Sequence, residues 1–188
     1  MCGIIGYCGP LDAQTILLDG LTQLEYRGYD SAGIALFDEN SKIHFIKKVG
    51  KVAALRKVCE ENPVVSHCGI GHTRWATHGE PNDINSHPHV SQNGKIALVH
   101  NGIIENYLEI REFLEEKGVQ FASETDSEVV AQLLEYCLGL NEVHCMQDAI
   151  YMVLHRIEGA YAFGIVCADD PERLYAARKD APLLLGYG

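Results

Sequence analysis

The chain has 188 residues, with 26 Asp and Glu against 15 Lys and Arg, for a formal charge of −11. That field disfavours nucleic acid and anionic membrane as partners. Hydrophobic residues make up 47%, enough for a sizeable core and inconsistent with disorder, but no apolar run nears the ~20 residues that cross a bilayer.

The short apolar start, Cys2-Gly3-Ile4-Ile5-Gly6, has no basic stretch ahead of it, so no secretion signal is expected. Residues 3–8 read as a buried strand. Leu17, Leu21 and Leu24 recur at helical spacing within 12–26. Tyr26-Arg27-Gly28-Tyr29-Asp30 reads as a turn, and 33–37 and 43–49 as strands of a hairpin. Residues 52–61 predict a helix stopped by Asn62-Pro63. Strands are expected at 68–73 and 95–100, separated by a polar stretch, 76–94, too long for an ordinary connection and read as a functional or mobile loop. Residues 105–117 predict a helix. Thr125-Asp126-Ser127-Glu128 is a capping box opening another, rich in apolar pairs. Met146, Ile150, Val153 and Ile157 mark a further helix. Late strands are expected at 160–167 and 173–177, and the apolar end at 182–188 looks strand-like. Strands at both ends with helices between them predict a layered α+β sandwich, not regular βαβ alternation.

Seven cysteines, odd in number and irregularly spaced without a C-x-x-C pair, argue against a disulfide framework or zinc ribbon. Free thiols imply a reducing compartment, and a cytoplasmic location is expected.

Cys2 is the first candidate for chemistry. A thiol is a strong nucleophile once a base takes its proton. Removal of Met1 would leave Cys2 with a free α-amine, and that amine, with a reference pKa of roughly 7.7–8.0, could act as the base. Four histidines lie within eighteen residues: His72, His78, His87 and His89. No carboxylate or Cys stands at ligand spacing beside them, so no metal is expected. Gly69-Ile70-Gly71 lacks the rest of a dinucleotide fingerprint, and no cofactor is expected.

Three motifs follow Cys2 in order: Tyr26-Arg27-Gly28-Tyr29-Asp30-Ser31-Ala32-Gly33, His72-Thr73-Arg74-Trp75-Ala76-Thr77-His78-Gly79, and His100-Asn101-Gly102. With them, essentially the whole chain resembles the glutaminase half of the glutamine–fructose-6-phosphate aminotransferase family. That half is a class II glutamine amidotransferase of the N-terminal nucleophile (Ntn) hydrolase superfamily. The resemblance implies a four-layer αββα sandwich and hydrolysis of L-glutamine by Cys2. It implies an oxyanion hole of Asn101 and Gly102 and a carboxylate clamp of Arg74 with Thr77 and His78. Asp126 would meet the substrate ammonium. Trp75 would gate on a closing loop, with Gly79 and the polar stretch after it as lid, and Arg27 would support the nucleophile.

Bland alternatives stand beside several of these residues. Asp126 would suit any helix first turn, Asn101-Gly102 any turn, and Trp75 a core. Class II amidotransferases serving phosphoribosylpyrophosphate or asparagine synthesis share the nucleophile, and a non-catalytic glutamine-binding module is the reading from another class. Family members are much longer. Residues 1–188 are therefore expected to be a glutaminase domain truncated at its C-terminus, lacking its last strands and the isomerase half that would be its partner. A homodimer is expected of the full-length enzyme and a monomer of the fragment.

Overall fold

The computed structural model describes residues 2–75 and 82–187. Strand β1 (Gly3–Cys8) leads into helix α1 (Ala13–Leu24), which is N-capped by Asp12 accepting the Thr15 N–H at 2.9 Å. A 3-10 turn (Glu25–Arg27) precedes the hairpin of β2 (Ser31–Phe37) and β3 (Ile43–Val49), then α2 (Val52–Glu61) and β4 (Cys68–Arg74). The second half holds β5 (His89–Val90), β6 (Ile96–Ile104), α3 (Tyr107–Glu116), α4 (Asp126–Leu138), α5 (Met146–Arg156), β7 (Gly159–Cys167) and β8 (Asp170–Lys179).

Two antiparallel sheets result, ordered β1-β4-β2-β3 and β5-β6-β7-β8. Strand alternation explains how they stack. In β2, Ile34 and Leu36 point to Leu17 and Leu21 of α1 and Leu55 of α2. Their neighbours Ala35 and Phe37 point the other way, into a middle layer with Ile70, Ala97, Val99 and Val166. In β6, Ile96 and Leu98 face Val130, Leu133 and Leu134 of α4. The layers are therefore helix, sheet, sheet, helix, the expected αββα sandwich. With both faces covered, the central strands read as continuous apolar runs. Each fully buried Leu contributes ~2 kcal/mol by transfer from water.

Three expectations are corrected. The strand read as ending at residue 100 continues to Ile104, so His100-Asn101-Gly102 lies within β6, not at a turn. The polar stretch is not all loop. Residues 76–81 lie outside the described part, but Asn85, Ser86, His87, His89 and Ser91 are buried. Their polar atoms find partners inside: Ser86 Oγ donates to the Asn82 carbonyl at 2.7 Å, and His89 Nε2 meets Thr125 Oγ1 at 3.0 Å. Polarity there reports an internal network, not solvent. Finally, the end of the described chain is not a strand. Asp180 makes one parallel bridge to Tyr161 at a positive φ of 54°, and Pro182 has no N–H to extend a ladder.

Candidate functional site

The same alternation aims the candidate residues. In β4, Cys68 and Ile70 face the second sheet, so His72 and Arg74 face it too; in β1, Ile4 does, and Cys2 shares its side. In β6, Ala97 and Val99 face the first sheet, and Asn101 continues their row. His100, one residue back, turns towards α4. The ends of the two sheets thus bound a cavity of about 610 Å³ lined by Cys2, Arg74, Asn101, Gly102 and Asp126, among others.

Cys2 is held at both sulfur and carbonyl. The Trp75 N–H donates to Sγ at 3.2 Å, and the thiol donates to the Trp75 carbonyl at 3.6 Å. Arg27 Nε and Asn101 Nδ2 both donate to the Cys2 carbonyl, at 3.2 and 3.1 Å. A Cβ at Gly28 would lie 2.7 Å from the carbonyl carbon of Arg74 and 2.9 Å from Trp75 N. Glycine is required there because the Tyr26–Asp30 turn lies directly on the Arg74–Trp75 main chain, where Asp30 N–H also bonds the Arg74 carbonyl at 3.0 Å. Trp75 is not core: it is 43% exposed, with Tyr29 packed edge-on at 5.3 Å.

Arg74 is only 5% exposed. Burial draws its guanidinium down from the usual value, while Cys2, Asp30 and Asp126 draw it back up. Asp126 is the first residue of α4, whose N-cap Thr125 accepts the Glu128 N–H at 3.3 Å. Glu128 departs from the simple capping box. Its carboxylate reaches past the cap to the N–H groups of Ala122 and Ser123, at 2.9 and 2.6 Å. The Asp126 carboxylate accepts Ile104 N–H at 2.9 Å and Ser127 Oγ–H at 3.3 Å. It therefore both ties α4 to the end of β6 and lines the cavity. Gly102 has φ 131°, and a Cβ there would sit 2.0 Å from the Ala160 carbonyl oxygen, so only glycine fits this point of β6. Thr77, His78 and Gly79 lie outside the described residues.

Behind the cavity lies a cluster the sequence reading did not assemble. His72 stacks on His87 at 4.1 Å, and His87 meets His89 edge-on at 4.6 Å. His100 Nδ1 meets Ser127 Oγ at 2.8 Å, and His72 Nε2 lies 3.0 Å from both the His100 carbonyl and Asn101 Oδ1. Burial pushes His72 down to about 3 and His100 to about 4, and holds His87 and His89 well below the usual imidazole value. All four are neutral near pH 7. Among the described residues, no three His, Cys, Asp or Glu side chains are grouped to hold a metal ion, and no helix is long and apolar enough to cross a membrane. The sequence signal for the cluster was histidine density in 72–89, weighed as a metal question and without His100.

A nucleophilic sulfur, a carboxamide donor, a buried guanidinium and a carboxylate around one cavity suit acyl transfer on a zwitterionic amide. The sequence profile of the glutamine amidotransferase domain family matches residues 72–187. The chain belongs to the glutamine amidotransferase domain family. It is 56% identical to the glutamine–fructose-6-phosphate aminotransferase [isomerizing] of Caldanaerobacter subterraneus subsp. tengcongensis, over 100% of this chain and 30% of the relative. The enzyme of that name from Pyrococcus horikoshii is 52% identical, again over 100% of this chain and 31% of the relative. The amidotransferase chain thus spans under a third of the length of these curated relatives. Among solved structures, glutamine phosphoribosylpyrophosphate amidotransferase from B. subtilis superposes with a TM-score of 0.75 and 31% identity, over 89% of this chain and 35% of the other. The expected Ntn-type sandwich is therefore the fold of this amidotransferase domain.

Proposed function

We propose that residues 1–188 act as one glutaminase domain that hydrolyses L-glutamine to glutamate and ammonia through an acyl-enzyme on Cys2. The observation that carries this reading is one cavity offering Arg74 and Asp126, the two charges an α-amino acid needs, together with Cys2 Sγ and the Asn101 amide. A bidentate guanidinium suits the substrate carboxylate, and Asp126 suits its ammonium. Thr77 and His78 add hydrogen bonds at the carboxylate end, and Trp75 closes over the substrate.

With Met1 removed, the α-amine of Cys2 takes the thiol proton and sulfur attacks the side-chain amide carbon. Asn101 Nδ2 and the Gly102 N–H stabilise the tetrahedral oxyanion, donors typically worth ~3 kcal/mol each. The amine returns the proton, ammonia leaves, and water releases glutamate from the γ-glutamyl thioester. Arg27 steadies Cys2 through its carbonyl. No metal or cofactor enters this chemistry.

In a longer chain of the relatives' kind, the ammonia would serve an isomerase domain that converts fructose 6-phosphate to glucosamine 6-phosphate, in a cytoplasmic homodimer. The higher identity to the aminotransferases, over the whole chain, favours this over the phosphoribosylpyrophosphate enzyme as the acceptor chemistry.

A glutamine-like diazo ketone tests the reading. One label on Cys2, found by mass spectrometry of a chain lacking Met1, with glutamine hydrolysis lost in step, is the expected result. Glutamine binding without labelling or ammonia release would make the protein a binding module. Full activity with Met1 retained would overturn the amine as base.

A further inference from the structure

An oxyanion hole built on a side-chain carboxamide has a weakness that one built on main-chain N–H groups lacks. The two ends of the amide are nearly the same size, and only the NH2 end can donate to an oxyanion. Something must decide which end faces the nucleophile.

We propose that His72 is the positioning residue that decides it, by holding the Asn101 carbonyl end away from Cys2. This rests on Asn101 acting as an oxyanion donor. His72 Nε2 lies 3.0 Å from the main-chain carbonyl of His100 and 3.0 Å from the Asn101 side chain. A carbonyl oxygen can only accept, so Nε2 must carry hydrogen. A nitrogen bearing hydrogen has no lone pair for an NH2, so the Asn101 atom facing it must be Oδ1. The amide orientation thus follows at one end from the His100 carbonyl, read through the imidazole tautomer, and at the other from the Cys2 carbonyl, which accepts from Nδ2 at 3.1 Å.

The imidazole is well placed for the task. It is 1% exposed and stacked on His87, whose Nδ1 accepts the His100 N–H at 3.3 Å. Among the described residues its Nδ1 has no hydrogen-bond partner, so none of them competes for the opposite tautomer. His72 belongs to β4 of the first sheet and Asn101 to β6 of the second, so the bond also ties the two walls of the cavity at the nucleophile.

Two measurements test the proposal on the whole protein. In wild type, 15N NMR of the His72 ring should show the neutral Nε2–H tautomer from pH 8 to pH 5; an Nδ1–H tautomer overturns it. In kinetics, His72→Phe keeps a flat ring against His87 but no donor. It should lower kcat for glutamine hydrolysis about tenfold, with KM within about twofold, and His72→Gln, which restores an N–H, should recover most of the loss. Asn101→Ala should cost about 10²–10³ in kcat, and adding His72→Phe to it should cost nothing more. Equal losses from His72→Phe in both backgrounds would reduce His72 to a packing residue. An Asn101→Ala variant with wild-type kcat would instead remove the oxyanion reading itself.

Discussion

The wall of the cavity that carries Cys2, Arg74 and Trp75 is held largely by main-chain contacts, with the Arg27 and Asn101 side chains donating to the Cys2 carbonyl, whereas the wall formed by β6 and α4 is held by buried side chains. On the first, Gly28 lets one loop lie on the Arg74–Trp75 backbone, and the Trp75 peptide brackets the sulfur. On the second, His100 meets the Ser127 hydroxyl, which donates to Asp126, and Asn101 accepts from His72 of the facing β4. Main-chain positioning tolerates side-chain change but not an added Cβ. Side-chain positioning is sensitive to protonation, because each imidazole must stay neutral and in one tautomer.

The largest effect expected is that of Gly102→Ala. A Cβ 2.0 Å from the Ala160 oxygen, at φ 131°, should cost about 4 kcal/mol or more and distort the proposed oxyanion site. Urea unfolding would register it, together with loss of glutaminase activity. Gly28→Ala should cost about 2–3 kcal/mol, because the clash is with main chain and no rotamer relieves it. If the first wall is held as described, its KM for glutamine should rise more than its kcat falls.

Acid should weaken the imidazole network of the second wall and its tie to β4. Unfolded imidazoles take up protons below about pH 6.5, whereas folded His100 and His72 resist until about 4 and 3. The unfolded state binds more protons in that interval, so stability falls as pH drops from 6.5, by up to ~2 kcal/mol per imidazole at pH 5. Denaturant midpoints at pH 7, 6 and 5 measure this, and a flat profile would contradict neutral burial. The smallest effect is that of Ser127→Ala, which removes the link between His100 and Asp126. It should cost ~1 kcal/mol and raise KM a few-fold in steady-state assays.

Much of this was legible beforehand. Periodicity placed α2 at 52–61 and the hairpin strands at 33–37 and 43–49 closely, β2 starting two residues earlier, because the segments have clear stops. The motifs named Cys2, Arg74, Asn101, Gly102 and Asp126, and the fold brings all five to one cavity. The buried stretch at 85–91 was misread because its residues are those of surface loops, and local composition cannot reveal partners such as Thr125, 36 positions away from His89. His72 was weighed only as a metal ligand, and its tie to Asn101 was missed for the same reason. On its own strand it is one more buried residue, and its meaning comes from Asn101, 29 positions on and in another sheet.

The sequence by itself determined the order of the main strands and helices, since these are written in short periods, and its motifs, through the family resemblance, pointed to Cys2 as nucleophile and to Arg74 and Asp126 as the charges for an amino-acid substrate. Only the tertiary structure decided which way the Asn101 amide points and why the surrounding histidines are neutral. Both depend on burial between two sheets and on contacts between residues far apart in the chain.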